Sequence, residues 1–428
     1  MRVTFVSNYI NHHQIPFCDA LSKLLAERAA GTADCSGENA TALFTFIQTQ
    51  AMETDRVRMG WHEEERPAYV KCYYEEEEIC KKLIAESDVV IFGGVDDESY
   101  ITERLQAGKL TFRYCERMYK TGQWKAISPR GLLKKYHDHT RYRKAPVYLL
   151  CAGAYVASDY HIIRAYPGKM YCWGYFPETK HYDVDKLLEG KGYVLSQDIL
   201  CENRQDIREG ENPAATQNKI PHLLWAGRMI DWKHPELALE TAKYLKDKKL
   251  PFHLDMVGGG ELQPMVECLR EEYGLQEEVS LLGFRSPEEV RSAMEKADIF
   301  LFTSDRQEGW GAVANEAMNS ACAVVADHMI GAVPYLIQNG ENGLIYRSGN
   351  KQQLFEKTEM LVKDAGLCKE MGRAAYQTIT TIWNAENAAT QLVALFEEKQ
   401  AEQSAGRPAP GKPAPILSER VAAKLADA

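Results

Sequence analysis

Short apolar runs alternate with longer amphipathic stretches along most of this chain, and the alternation breaks once before starting again. A run of about five Val, Ile, Leu or Phe residues between polar turns fits a strand buried on both faces. An amphipathic stretch of ten or more fits the helix that covers it. In the first half, strands are expected at 3–7, 43–48, 89–93, 110–114 and 147–151, with helices at 14–28, 75–87 and 99–107. The segment 176–219 is polar, carries a charged run at 202–211 and then Asn212-Pro213, and reads as the boundary between two units. The rhythm then restarts, with strands at 222–226, 253–257, 279–282, 299–303, 323–326 and 344–346. Two doubly wound parallel-sheet units in series follow from this pattern. The expected division is a first unit over 1–175, an interdomain segment over 176–219 and a second unit over 220–382. Residues 383–400 form a helix free to pack back on the first unit. Residues 401–428, with GRPAPGKPAP, read as a tail without fixed structure.

In such sheets ligands bind beyond the carboxyl ends of the strands, so the informative residues are those that follow each strand. FTSDRQEGWGAVANEAMNS, residues 302–320, runs from a strand through a polar loop to a helix. Gly309, Trp310, Gly311 and Ala312 bring free backbone N–H groups to the helix start, which suits an anion. Glu308 lies in the loop and Glu316 in the helix. Eight residues of helix would separate them by about 12 Å, wider than the roughly 5–9.5 Å of paired glycosidase carboxylates. That layout suits a long ligand gripped at both ends. WAGRMIDWKHPELALE, residues 225–240, sets Gly227, Arg228 and Lys233 between a strand and a helix, two fixed cations fit for a diphosphate. HLDMVGGGEL supplies a glycine turn around Gly259. LLGFRSPEEV puts Phe284 and Arg285 at a strand end, with Ser286 and Glu289 in capping-box spacing.

The ordered set G-R…K, V-G-G-G, G-F-R and E-x7-E resembles the retaining GT-B glycosyltransferases of family 4, the group 1 glycosyl transferases of bacterial capsular and exopolysaccharide synthesis. The likeness covers residues 220–350 well and the first half only at SNYINHHQ. It implies a GT-B fold, two Rossmann-like domains facing across a cleft. It also implies transfer of a sugar from a UDP- or GDP-sugar to a glycan or lipid-linked acceptor, with retention of configuration, without cofactor or metal. By the same resemblance Arg228 and Lys233 bind the donor diphosphate, Glu316 the ribose, and Glu308 with the amides of 309–311 the transferred sugar. A nucleotide-sugar 2-epimerase of similar fold and a non-catalytic nucleotide-sugar binder are the alternatives.

The acceptor side is less legible. The loop SNYINHHQ follows the first strand, so Asn11, His12 and His13 belong at the cleft edge, with Asn11 equally fit to cap the next helix. FRYCERMYK, residues 112–120, offers Glu116 for acceptor activation and Arg117 for phosphate contact. Basic residues dominate Arg117–Lys144, with Tyr and Trp among them and Asp138 the sole acid, although the whole chain carries a net charge of −10. An anionic membrane surface fits that segment, and the overall charge speaks against a nucleic-acid partner. The N-terminus reads as a first strand and not as a leader, and the longest apolar stretch, 146–157, falls short of the roughly 20 residues that span a bilayer. The expected location is the cytoplasm, or the inner face of the membrane as a peripheral protein.

Overall fold

The computed structural model describes residues 1–30, 43–52, 66–194, 219–405 and 414–427. Its first sheet comprises β1 (Val3–Ser7), β2 (Phe44–Gln48), β3 (Val70–Cys72), β4 (Val89–Gly93), β5 (Thr111–Cys115), β6 (Val147–Ala152) and β7 (Met170–Trp173). They lie in the order β3-β2-β1-β4-β5-β6-β7, every neighbouring pair parallel. β8 (Tyr193–Val194) and β9 (Lys219–Ile220) form a short antiparallel pair at the junction. The second sheet comprises β10 (His222–Ala226), β11 (His253–Val257), β12 (Val279–Gly283), β13 (Ile299–Phe302), β14 (Ala323–Asp327) and β15 (Leu344–Tyr346), in the order β12-β11-β10-β13-β14-β15, again parallel throughout.

Both orders reverse direction once, between β1 and β4 and between β10 and β13. Those are the points where a crevice opens outside the carboxyl ends of the strands. The loops that fall there are 8–14 after β1, 227–234 after β10 and 303–312 after β13. The central strands β1, β4, β6 and β14 are buried at every residue, as helices on both faces require.

The structure departs from the sequence expectations at the edges. β3, with Lys71 at its centre, and β7 are three and four residues long, too short to print a periodic signal. The helical pattern over 352–380 is two helices, Lys351–Lys363 and Ala365–Thr381. Asp364 sits between them in extended geometry, and its carboxylate accepts the Leu367 N–H at 2.9 Å. Helix Ala385–Ala405 lies on the first sheet, where Leu392, Val393 and Phe396 share a core with Phe5 and Phe112 and the Phe112 and Phe396 rings are 4.8 Å apart. The reading of 401–428 as an unstructured tail does not hold for residues 414–427. Ala414 is buried against the first unit, donating its N–H to the Met170 carbonyl at 2.9 Å. Ala426 is buried in the second unit, and Ala422 is enclosed by Tyr155 from one unit and Met329 from the other. Among the described residues, no helix is long and apolar enough to cross a membrane.

Candidate functional site

Three loops of the second unit converge at its switch point. After β10, Arg228 is exposed and its guanidinium lies 5.7 Å from the Trp232 ring. The Lys233 ammonium lies 4.9 Å from the same ring. Trp232 thus props both cations, an organising role that its place between Arg228 and Lys233 did not announce. Thr303, at the end of β13, binds the two loops together. Its buried hydroxyl donates to the Lys233 carbonyl at 2.8 Å and accepts the Trp225 indole N–H at 2.9 Å. His234 holds φ +50° at the start of helix Pro235–Asp247. Its ring lies between Asp305 (3.6 Å) and Glu236 (2.8 Å), whose hydrogen bonds push its pKa up to about 10 and keep it cationic. Nothing in the spacing of His234 and Asp305 marked this pair.

Lys233 and Glu308 are ion-paired, both largely buried. Glu316, in helix Val313–Asn319, has its carboxyl pushed up by burial, against the opposing charges of Arg291 and His12. His12 therefore faces the donor-side helix from the loop after β1. Arg291 is buried, and its guanidinium donates to the Glu316 carbonyl at 3.0 Å, to Asn319 Oδ1 at 3.1 Å and to the Glu178 carbonyl at 2.9 Å. It fixes the helix that carries Glu316 to the interdomain segment.

The glycine turn packs close. A Cβ on Gly258 would come within 1.9 Å of the Gly227 carbonyl oxygen, and one on Gly259 within 2.7 Å of the Phe284 ring. Phe284 is exposed beside it. The loop 308–311 is wedged between the units: a Cβ on Gly309 would lie 2.0 Å from a Glu116 carboxylate oxygen, and one on Gly331 1.7 Å from the Gly309 carbonyl oxygen. Glu116 accepts from the Tyr175 hydroxyl at 2.6 Å and from Lys120 at 2.7 Å. It also lines a cavity of about 590 Å³ beyond β4 and β5, with Asp96, Arg113, Lys135 and His139 among its walls.

Residues 204–378 match the family model for glycosyl transferases group 1. An uncharacterized glycosyltransferase of Methanocaldococcus jannaschii is 28% identical over 204 residues, 46% of this chain and 55% of that protein. The amylovoran biosynthesis glycosyltransferase AmsK of Erwinia amylovora is 27% identical over 180 residues, 41% of this chain and 44% of that protein. The chain thus spans about half the length of these curated relatives. The crystal structure of HepE from Anabaena in complex with UDP superposes over 93% of this chain and 100% of that one, with a TM-score of 0.60 at 14% identity. The fold is GT-B.

The residues expected to bind the donor, Gly227, Arg228, Lys233, Gly259, Phe284, Glu308, Gly309, Gly311, Ala312 and Glu316, all belong to the loops and helix starts beyond β10, β11, β12 and β13. Trp310 stands apart. Its side chain is fully buried, stacked on Trp383 at 5.5 Å and bonded to Asn315 Oδ1 at 2.9 Å, so only its backbone is left to meet a ligand. On the acceptor side, Asn11 holds the turn that leads into helix Ile15–Ala30, its side chain accepting the His13 N–H at 3.0 Å and donating to Gln14 at 3.1 Å. Arg117 is not a phosphate contact of the cleft. It is 3% exposed, held by Asp159 at 3.7 Å and Glu419 at 3.1 Å, with Tyr155 beneath it at 5.1 Å. Asp183, in the interdomain segment, caps helix Val184–Gly190 through the Lys186 N–H.

Proposed function

We propose that this chain moves a sugar from a nucleotide-sugar donor to a glycan or lipid-linked acceptor, with retention of anomeric configuration and without a metal, in the synthesis of cell-surface polysaccharide or glycolipid. The observation that carries this reading is the convergence of Arg228, Lys233 and Glu308 on one switch point, with Glu316 a helix turn further on. When the bond from the anomeric carbon to the diphosphate breaks, its electron pair leaves on the diphosphate oxygen. Two preorganised cations stabilise that charge in place of a divalent ion. Glu316 accepts hydrogen bonds from the ribose hydroxyls, and Glu308 with the amides of 309–311 holds the sugar. Glu116 lies at the boundary between the 590 Å³ cavity and Gly309, which supports its assignment to the meeting point of acceptor and transferred sugar. The family match over 204–378 supports the reaction class, and the UDP held by the Anabaena protein of the same fold makes UDP the first nucleotide to try. AmsK, named for amylovoran biosynthesis, supports the polysaccharide role.

Calorimetric titration with UDP, GDP, ADP and their sugar conjugates, without added metal, tests the donor site. Saturable binding of one series, lost in Glu316→Ala, is the expected result. Binding of none would remove the donor assignment. Conversion of the nucleotide sugar with no acceptor present would replace transfer by epimerisation, and tight binding without turnover toward any acceptor would leave a binding protein.

A further inference from the structure

Helix Pro129–Asp138 is built the wrong way round for a soluble surface. Ser128 caps it and Pro129 opens it, yet none of its ten residues is buried. Gly131, Lys134, Lys135 and Asp138, spaced three to four apart, form its inner face and roof the 590 Å³ cavity. Leu132, Leu133 and Tyr136 point outward and are exposed, Leu133 at 60%. Ile127, just ahead of the helix, is 79% exposed, and Trp124 is exposed beside it. A surface helix of a water-facing domain puts its apolar stripe toward the core; this one turns its apolar stripe outward.

The charge around it has one sign. Residues 124–144 contain seven Lys and Arg and a single acid, Asp138, in a chain of net −10, and that acid is paired with Lys134 at 2.8 Å. The helix ends at His139, whose ring bonds the Tyr166 hydroxyl at 2.8 Å and so abuts the turn before β7. There a groove of about 650 Å³ is lined by Arg143, Lys144, His161, Ile162 and Arg164. Arg143, Lys144 and Arg164 are all exposed. Apolar side chains at the tip and cations at the rim match the two layers of a bilayer surface, acyl boundary and anionic headgroup. An acidic protein partner would match the cations but not the protruding Ile127, Leu132 and Leu133.

We propose that helix Pro129–Asp138 with Ile127 is an interfacial anchor that seats on an anionic lipid bilayer, with the Arg143, Lys144 and Arg164 groove taking lipid phosphates. The basic segment foreseen over 117–144 is thereby narrowed. Arg117 is buried and Lys120 is held by Glu116, and neither faces the bilayer. Anchoring by this helix sets the cavity it roofs, with Glu116 at its inner end, at the membrane surface. That deepens the transfer reading, on which this consequence rests: the acceptor is an amphiphile whose polar head enters the cavity while its tail stays in the lipid.

The full chain is sedimented with phosphatidylcholine vesicles, with and without phosphatidylglycerol. Wild type is expected to bind the anionic vesicles, less so as salt rises, with part of its tryptophan emission quenched by brominated lipid and that part lost in Trp124→Phe. Ile127→Ser/Leu132→Ser/Leu133→Ser should lower vesicle affinity about tenfold or more, since its apolar insertion is removed. Arg143→Glu/Lys144→Glu should abolish the preference for anionic lipid. UDP binding is the folding control and should stay unchanged in both variants. Wild-type vesicle binding by the triple variant overturns the anchor, as does binding to neither lipid. Ridge-dependent self-association without vesicle binding also overturns it and gives the face to a second copy of the chain. A wild-type chain that binds anionic vesicles but no nucleotide would sink the transfer reading alone.

Discussion

Lys233 and Glu308 form an ion pair that joins the loop after β10 to the loop after β13. Each side chain is largely buried, so each holds the other in place. In the proposed reaction, removing the ammonium costs its attraction for the leaving diphosphate and also strands a carboxylate beside it. Lys233→Ala is expected to lower turnover by about 10²–10³-fold. Glu308→Gln should cost less, and the double variant should fall short of the product of the two losses because the sites are coupled. Steady-state rates of the three variants decide it. Multiplicative losses would show that the pair does not act as a unit.

Glu316 is half-buried, and burial raises the pKa of its carboxyl against the opposing charges of Arg291 and His12. In the proposed function its ionised form is the one that accepts two ribose hydroxyls, and protonation removes an acceptor. Nucleotide affinity is therefore expected to fall as pH drops through a window lying above the ordinary carboxylate range. In Glu316→Gln the affinity should be lower at neutral pH, by roughly tenfold for a lost charge-assisted bond, and flat across the same window. Titrations from pH 5 to 8 test this. A pH dependence that survives in Glu316→Gln would move its origin to another group.

How far the sequence carried can be judged from these residues. The central strands and the loops they aim at the cleft were legible because burial on both faces leaves continuous apolar runs, and because Gly227, Gly259, Gly309 and Gly311 mark places where the backbone must come close. The edge strands β3 and β7 were too short to leave a pattern. Arg117 was misplaced because a basic residue after a strand reads the same whether it faces a cleft or a buried Asp159, and that acid lies 42 positions away in sequence. Trp310 looked like part of an open loop. Its burial depends on Gly174, where a Cβ would come within 2.2 Å of the indole, and on Trp383, both contacts between distant segments. Trp232 and the His234–Asp305 pair depend on side-chain placement that spacing alone does not encode.

Asp327, at the end of β14, has its pKa pushed up to about 7 by burial, with the Met329 N–H donating to it at 2.8 Å. The unfolded chain ionises this group near the usual carboxylate value of about 3.9, while the folded chain keeps the proton up to neutrality. Folded-state protonation thus contributes stability that is fully present below about pH 4 and is lost as pH rises toward 7. Asp327→Asn keeps the acceptor for Met329 and lacks the titration. Its melting temperature should match wild type near pH 4 and exceed it by several degrees at pH 8, at about 2–4 °C per kcal/mol for domains of 150–250 residues. Equal melting temperatures at both ends would mean that Asp327 is ionised in the folded protein throughout.

Glu419 ties the C-terminal segment to both units: one carboxylate oxygen accepts from Arg117 at 3.1 Å and the other from Arg306 at 3.3 Å. Arg306 belongs to the loop that carries Glu308, and Arg117 is buried with Asp159 as its other acid. In Glu419→Gln the neutral amide leaves Arg117 with less compensation for its burial, a loss of about 1–3 kcal/mol. Melting should drop by several degrees, and interdomain looseness should raise the donor KM more than it lowers kcat, because the loop loses a support and not a reacting group. Deleting residues 414–428 should reproduce both effects and add exposure of Tyr155 and Met329, which pack with Ala422. A truncated chain that melts and turns over like the full one would show that this segment does not clasp the units in solution, and Arg117 would then rest on Asp159 alone.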